Sequence, residues 1–285
     1  MRSRELLNQL DNRYVYSMSG GYMPFGSIFG RVKNAVLETA DNKRIKLENR
    51  LVPRAVLAVL GIPHIGLRVR ANRIFKLLES KKNVKILDAG CGAGAYSLTL
   101  AKMGKEVHGF DINQEKVRQA IRINKQLGLN ANFSVANIYH LKNYPKNYFD
   151  VVLCSDVLEH LKYDGKALKE IYGVLKYSGE LIITVPANTK INRKYKKTFG
   201  HEQLYTEKLL SGILKKNNFS IKITSPYLCF FGRSAWNINR SLFRSKILTA
   251  ITFYPLYMLT FFDYWFHLRN GEGMAVKAVK IKQRL

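Results

Sequence analysis

Acidic residues and cysteines are the scarce components of this chain. Its 285 residues hold 20 Asp and Glu against 47 Lys and Arg, a formal net charge of +27. The three cysteines, Cys91, Cys154 and Cys229, form neither a paired framework nor a zinc spacing. That excludes a disulfide scaffold and a zinc ribbon, and it suits a reducing compartment. The segment MRSRELLNQLDNRYVYS lacks the apolar core of a secretory signal. Internal repeats and low-complexity tracts are also missing, which excludes solenoids and arrays. The apolar stretch Val52–Leu67 is broken by Pro53, Gly61, Pro63 and Gly66, so it does not read as a bilayer span.

The basic surplus is unevenly spread. Residues 1–83 carry 16 basic against 6 acidic side chains, residues 84–185 carry 13 against 10, and residues 186–285 carry 18 against 4. A nearly balanced middle is flanked by two cationic regions. Their field attracts anionic surfaces: a membrane leaflet, a nucleic acid or acidic partners.

The most informative stretch lies in the balanced middle. Val84–Asp111 reads as a buried strand, an acid (Asp88), a glycine turn (Gly90, Gly92, Gly94), a helix, and a second strand ending in Asp111. Glycines at a strand-to-helix turn let backbone approach a ligand, and an acid at the tip of the next strand can accept both hydroxyls of a ribose. Gly90-x-Gly92-x-x-Ala95 also fits a loose dinucleotide fingerprint. Asp88 favours a different ligand: an acid before the turn repels a pyrophosphate and suits an ammonium group.

The run Asp88-x-Gly90-Cys91-Gly92-x-Gly94 resembles the first motif of the class I S-adenosylmethionine-dependent methyltransferases. Phe149–Cys154 resembles the fourth strand of that fold, Ser155–His160 the turn after it, and Gly179–Pro186 the fifth strand. His201–Thr206, with the amphipathic run to Phe219, is similar to the following segment in small-molecule and lipid-quinone methyltransferases of the ubiquinone and menaquinone pathways. The resemblance covers about 100 residues after the first motif. It implies an α/β, Rossmann-like, seven-stranded, mostly parallel sheet with an antiparallel last strand. To a methyltransferase domain over 67–285 this chain adds, beyond the plain fold, a helical N-terminal extension over 1–66 and an apolar insertion at about 227–270 before the last strand.

Pattern alone predicts a helix over Leu67–Ser80 and others near 95–103, 114–127, 164–176 and 206–217. Strands are expected near 84–87, 106–110, 131–136, 149–154, 180–185, 220–224 and 274–282. The insertion departs most from the plain fold. Ile247–Phe262 is uncharged, and an aromatic-rich run continues to Leu268. Arg233, Arg240, Arg244 and Lys246 precede it, and Arg269 follows. This pattern resembles an interfacial membrane anchor. A lid packed on the core and a true span are the other readings, and Pro255 argues against the span.

By the resemblance, Asp88 and the turn Gly90, Cys91, Gly92 and Gly94 hold the methionine part of S-adenosyl-L-methionine. Asp111 holds the ribose, Ile112 packs on the adenine, and Ser155 lines the site. Asn137 occupies a place where relatives often have an acid that contacts the adenine amino group; a strand-end cap is the plain alternative. Arg70 is a candidate partner of the cofactor carboxylate or part of a solvated basic face. Asp156, Glu159 and His160 stand at i, i+3 and i+4, so a short helix would bring them together. In ubiquinone-pathway O-methyltransferases a similar run is associated with a divalent metal such as magnesium; in many relatives it only orders the loop. His160 and His201 are the candidate general bases. The basic loop Lys190–Lys197 reads as solvated or as a contact for an anionic substrate.

The implied activity is methyl transfer to an apolar or lipid-linked acceptor, quinone-like or polyprenylated. The implied location is cytoplasmic, peripherally or shallowly associated with an anionic membrane surface. The alternative is a nucleic-acid (RNA) methyltransferase, although Cys154-Ser-Asp-Val stands where a base-amine motif would be expected. A non-catalytic membrane-docked scaffold is the third reading.

Overall fold

Seven strands in the order β3-β2-β1-β4-β5-β7-β6 form the centre of the computed structural model, which describes residues 65–78, 84–242 and 245–282. The expectations for the N-terminal extension lie almost wholly outside those residues, as does Arg244.

The chain alternates helix and strand. Helix α1 (Ile65–Leu78) leads into β1 (Lys85–Ala89), α2 (Ala95–Lys102), β2 (Glu106–Asp111), α3 (Gln114–Gln126) and β3 (Ala131–Val135). Then follow β4 (Phe149–Ser155), a 3-10 turn (Leu158–His160), α4 (Asp164–Val174) and β5 (Leu175–Pro186). The last part comprises α5 (Lys190–Tyr195), α6 (Glu207–Lys216), β6 (Phe219–Tyr227), α7 (Phe230–Ser241), α8 (Lys246–Trp265) and β7 (Gly273–Lys280).

Strands β1 to β5 pair in parallel, and β7 inserts antiparallel between β5 and β6. Apolar runs such as Phe149–Cys154 form these strands because both sheet faces are covered. One face packs against α4 and α6 through residues such as Leu168, Ile171, Leu210 and Leu214. The other packs against α1, α7 and α8 through Ile65, Phe75, Ala235 and Phe253. Strand order reverses between β1 and β4, so their carboxyl ends flank the crevice where such sheets bind ligands.

The insertion folds as a helical pair against α1. Helix α8 buries a single stripe, Thr249, Phe253, Leu256, Thr260 and Asp263, which is the helical period. Its other faces expose Ile251, Met258, Leu259, Phe261, Phe262, Tyr264 and Trp265. It is therefore not an enclosed lid. Among the described residues, no helix is long and apolar enough to cross a membrane.

Asp263, a polar interruption in the sequence, fixes this pair. Its carboxylate accepts hydrogen bonds from the backbone N–H groups of Cys229 (2.8 Å), Phe231 (2.8 Å) and Gly232 (2.9 Å). The α7 amino end thereby gains partners for donors that have none within the helix.

Candidate functional site

The glycine turn folds back on β2. The N–H groups of Gly90 and Cys91 both donate to Phe110 O at 2.8 Å. Gly90 and Gly94 take left-handed backbone at φ 80° and 85°. A Cβ on Gly90 would collide with Val157, and one on Gly94 would crowd Ala120 and Phe133. The turn thus requires glycine for both conformation and approach.

Asp111 is locked to this turn. Its Oδ2 accepts from Gly92 N–H and its Oδ1 from Asn113 N–H, each at 2.8 Å. The next residue, Ile112, is 71% exposed at the rim. Asn137 forms a local turn, its Oδ1 accepting from Tyr139 N–H at 3.0 Å. That leaves the amide nitrogen as the end without a hydrogen bond in its own loop. Cys91 is buried beside the turn, and burial pushes its thiol pKa up.

Asp88 is only 1% exposed and accepts one side-chain hydrogen bond, from Ser97 Oγ at 2.6 Å. Burial pushes its carboxyl up to about 7. A carboxyl whose charged form is disfavoured by burial favours a cationic ligand that restores that form.

At the end of β4, Ser155 Oγ and Thr184 Oγ1 lie 2.8 Å apart, and Thr184 Oγ1 donates to Asp156 Oδ1 at 2.9 Å. Arg70 reaches this edge from α1. It forms an ion pair with Asp156, and its Nε donates to Tyr96 Oη at 3.1 Å.

The three candidates from the motif after β4 do not share one face. Leu158–His160 is a tight 3-10 turn rather than an α-helix. Asp156 takes left-handed backbone (φ 52°) and turns away to Arg70. Glu159 and His160 instead meet His201, with ligand atoms of the three within 4.8 Å of one another. The loop after β5 brings His201 there. Gly200 O accepts from His160 Nδ1 at 3.1 Å, and Glu159 O accepts from Glu202 N–H at 2.7 Å. Tyr205 clamps the 3-10 turn, donating to Leu158 O at 3.2 Å and to Asp164 Oδ2 at 3.1 Å.

This cluster carries unmet polar groups. Glu159 is 1% exposed, its Oε2 has no hydrogen-bond partner, and burial raises its carboxyl to about 8. His201 Nδ1 is likewise buried and without a partner. Burial, then the neighbouring His160 and Lys196, lower the His201 pKa to about 4. The two imidazole centroids are 5.0 Å apart, and Phe199 stacks on His201 at 5.6 Å. Because Nδ1 of His160 faces a carbonyl, that nitrogen is the donor and Nε2 is left as the acceptor.

Ser97, Tyr96, Thr184 and Tyr205 were not singled out from sequence. Tyr96 and Ser97 had a weak signal, since both open the helix after the glycine turn. Thr184 and Tyr205 acquire roles only through strand pairing and the return of the loop.

Residues 80–245 match a family model described as a methyltransferase domain. An uncharacterized protein of Methanocaldococcus jannaschii is 33% identical over 180 residues, covering 61% of this chain and 71% of that protein. The ubiquinone biosynthesis O-methyltransferase of Proteus mirabilis is 30% identical over 191 residues, covering 66% of this chain and 72% of that protein. Two crystal structures share the fold. The [4+2]-cyclase SpnF has a TM-score of 0.56 at 22% identity, covering 74% of this chain and 82% of its own. An S-adenosylmethionine-dependent methyltransferase of Methanosarcina mazei has a TM-score of 0.51 at 22% identity, covering 73% and 98%.

Proposed function

Because this chain belongs to the S-adenosylmethionine-dependent methyltransferases, we propose that its acceptor is an apolar or lipid-linked small molecule met at the cytoplasmic face of an anionic membrane. The observation that carries this reading is the outer surface of α8. It holds Phe261, Phe262, Tyr264 and Trp265, the last 77% exposed, beside α7 with its exposed Phe230 and Ile238. Exposed aromatics on a helix flanked by basic residues suit the membrane interface. The ubiquinone-pathway activity of the Proteus mirabilis relative agrees with an apolar acceptor.

In this reading the glycine turn and Asp88 hold the methionine moiety of the cofactor, and Asp88 meets its ammonium group. Asp111 holds the ribose, Ile112 covers the adenine, and Asn137 contacts its edge. Ser155 lines the reacting end. Arg70 serves the cofactor carboxylate when it exchanges Asp156 for that group. Methyl transfer is an in-line displacement that needs the acceptor atom about 3 Å from the methyl carbon. With a hydroxyl acceptor, His160 Nε2 takes the proton as the new oxygen–carbon bond forms. The carbon–sulfur bond breaks with its electron pair going to sulfur. His201 lies beside it as the second candidate base.

The same cluster fits a divalent metal. One buried carboxylate oxygen without a partner and two imidazoles form a mixed oxygen–nitrogen donor set. That set suits a zinc-like or manganese-like ion better than magnesium, which prefers oxygen ligands. Glu159, His160 and His201 would then be the ligands in place of Asp156, His160 Nε2 would serve the ion instead of the proton, and the ion would acidify an acceptor hydroxyl.

Vesicle co-sedimentation tests the membrane part. Binding should require anionic lipid, weaken in salt and persist in part at high salt, because apolar burial is not screened. Phe262→Ser with Trp265→Ser should remove the salt-resistant part. Indifference to vesicles combined with salt-sensitive RNA binding would favour the nucleic-acid alternative instead.

A further inference from the structure

Helix α5 and the turn after it carry Lys190, Arg193, Lys194, Lys196 and Lys197 and no acid. A short cationic segment of this kind normally floats on the surface, but this one is fastened at its start to Glu272 beside β7 and at its other end to α7. At its start, Thr189 caps the helix by accepting from Asn192 N–H at 3.2 Å, and it donates to the Glu272 carboxylate. Asn192 Nδ2 donates to Ala187 O at 2.8 Å and to Glu272 O at 2.7 Å. Glu272 in turn pairs with Arg233 of α7 at 3.2 Å. At its other end, Arg240, two turns further along α7, lies over the Tyr195 ring at 5.5 Å. The segment then runs into Phe199, which stacks on His201, and into Gly200 and His201, which meet His160.

Three consequences follow from this placement. The segment is tethered by these contacts and leads directly into the His160–His201 pair. Lys190, Lys194 and Lys197 are exposed, and among the described residues none has an acidic partner. The same α7 that anchors the segment also presents the exposed apolar Phe230 and Ile238. Exposed like charges without acidic neighbours attract an anion.

We propose that the acceptor is a lipid-linked phosphate: Lys190, Lys194 and Lys197 bind its phosphate while its tail lies on α7 and α8 and its methylated group meets the histidines. This rests on the lipid-linked reading above and narrows it. Lysine ammonium groups act as point charges that suit phosphate.

Calorimetry on the full chain saturated with S-adenosylhomocysteine tests the proposal with three probes: dodecyl phosphate, dodecyl maltoside and inorganic phosphate. Dodecyl phosphate should bind about tenfold or more tighter than either other probe, the scale of a few charge-assisted contacts. Lys190→Gln with Lys194→Gln and Lys197→Gln should erase that advantage while S-adenosylhomocysteine affinity stays unchanged, which also reports folding. Equal binding of the two dodecyl probes, or an unaffected triple variant, would overturn the phosphate proposal and leave the apolar-acceptor reading standing. Inorganic phosphate as tight as dodecyl phosphate would assign the rim to free phosphate and overturn the lipid link. Failure of both dodecyl probes would instead count against the apolar acceptor itself.

Discussion

Asp111 Oδ2 accepts the Gly92 N–H at 2.8 Å, which joins the acid at the tip of β2 to the glycine turn after β1. The two halves of the proposed cofactor cradle are therefore positioned by each other. Asp111→Ala removes the proposed ribose acceptor and also leaves the Gly92 and Asn113 amides without it. Cofactor affinity should fall by roughly 1–3 kcal/mol, the usual scale for unpaired polar groups. Calorimetry with S-adenosylhomocysteine measures this. Unchanged affinity would remove Asp111 from the ribose role, and tighter binding of a nicotinamide dinucleotide would reassign the cradle.

Asp88 should make cofactor binding proton-linked. Burial holds its carboxyl at about 7, far above the usual aspartate range. A ligand ammonium favours the ionised form, so binding near pH 7 should expel about half a proton and binding near pH 9 almost none. Binding enthalpies in buffers of different ionisation enthalpy report the release, and Asp88→Asn should abolish it. The same shift sets a sign for stability. A raised carboxyl pKa contributes stability that is full below the ordinary aspartate range and is lost as pH rises through about 7, and Glu159 adds a similar loss through about 8.

His160 and His201 should matter more for turnover than for cofactor binding. Replacing the residue that acts as base by Ala should lower kcat by about 10²-fold or more. S-adenosylhomocysteine affinity should stay near wild type. If both single variants keep wild-type rates across the pH profile, neither transfers the proton. Dialysis against a chelator separately tests the Glu159–His160–His201 set: unchanged activity and no metal by elemental analysis would remove the metal.

Asp263 should be the most costly single loss in the insertion. Its carboxylate serves three backbone donors and is almost fully buried. Asp263→Ala should destabilise the protein by about 3 kcal/mol, the scale for breaking charged hydrogen bonds and stranding their donors. Denaturant unfolding measures it. A loss under about 0.5 kcal/mol, typical of surface sites, would contradict the anchoring role.

Sheet and cradle were legible because their signals are local. Apolar runs such as Phe149–Cys154 mark buried strands, and Asn113 and Thr206 cap the helices that follow them. The early start of β5 was hidden, because Ser178-Gly179 reads as a turn. Yet Leu175 already pairs with Phe149 across an irregular register. Helix α7 was not expected at all. Its buried stripe is Gly232, Ala235 and Asn239, small or polar residues that leave no apolar period. The one-sided burial of α8 was hidden for the opposite reason. Its exposed face is as apolar as its buried one.

Within the site, spacing suggested that Asp156, Glu159 and His160 act together. A left-handed backbone at Asp156 and a tight turn at Leu158–His160 part Asp156 from the other two. His201 takes the third place because the loop after β5 returns across the sheet edge, pairing Ala187 with Tyr205. That is a long-range event with no signature in residue spacing. Arg70 was singled out from sequence, but its pairing with Asp156 was not foreseen.

Methyl transfer from deuterium-labelled S-adenosylmethionine to a host membrane extract tests the central claim most directly. The purified protein is incubated with that extract and, in parallel, with the aqueous metabolite pool and total RNA. Mass spectrometry then locates the label. The expected result is labelled methyl in an organic-soluble species, lowered with Asp111→Ala at limiting cofactor, with none in RNA. Label confined to RNA or to water-soluble metabolites would contradict the lipid-linked acceptor.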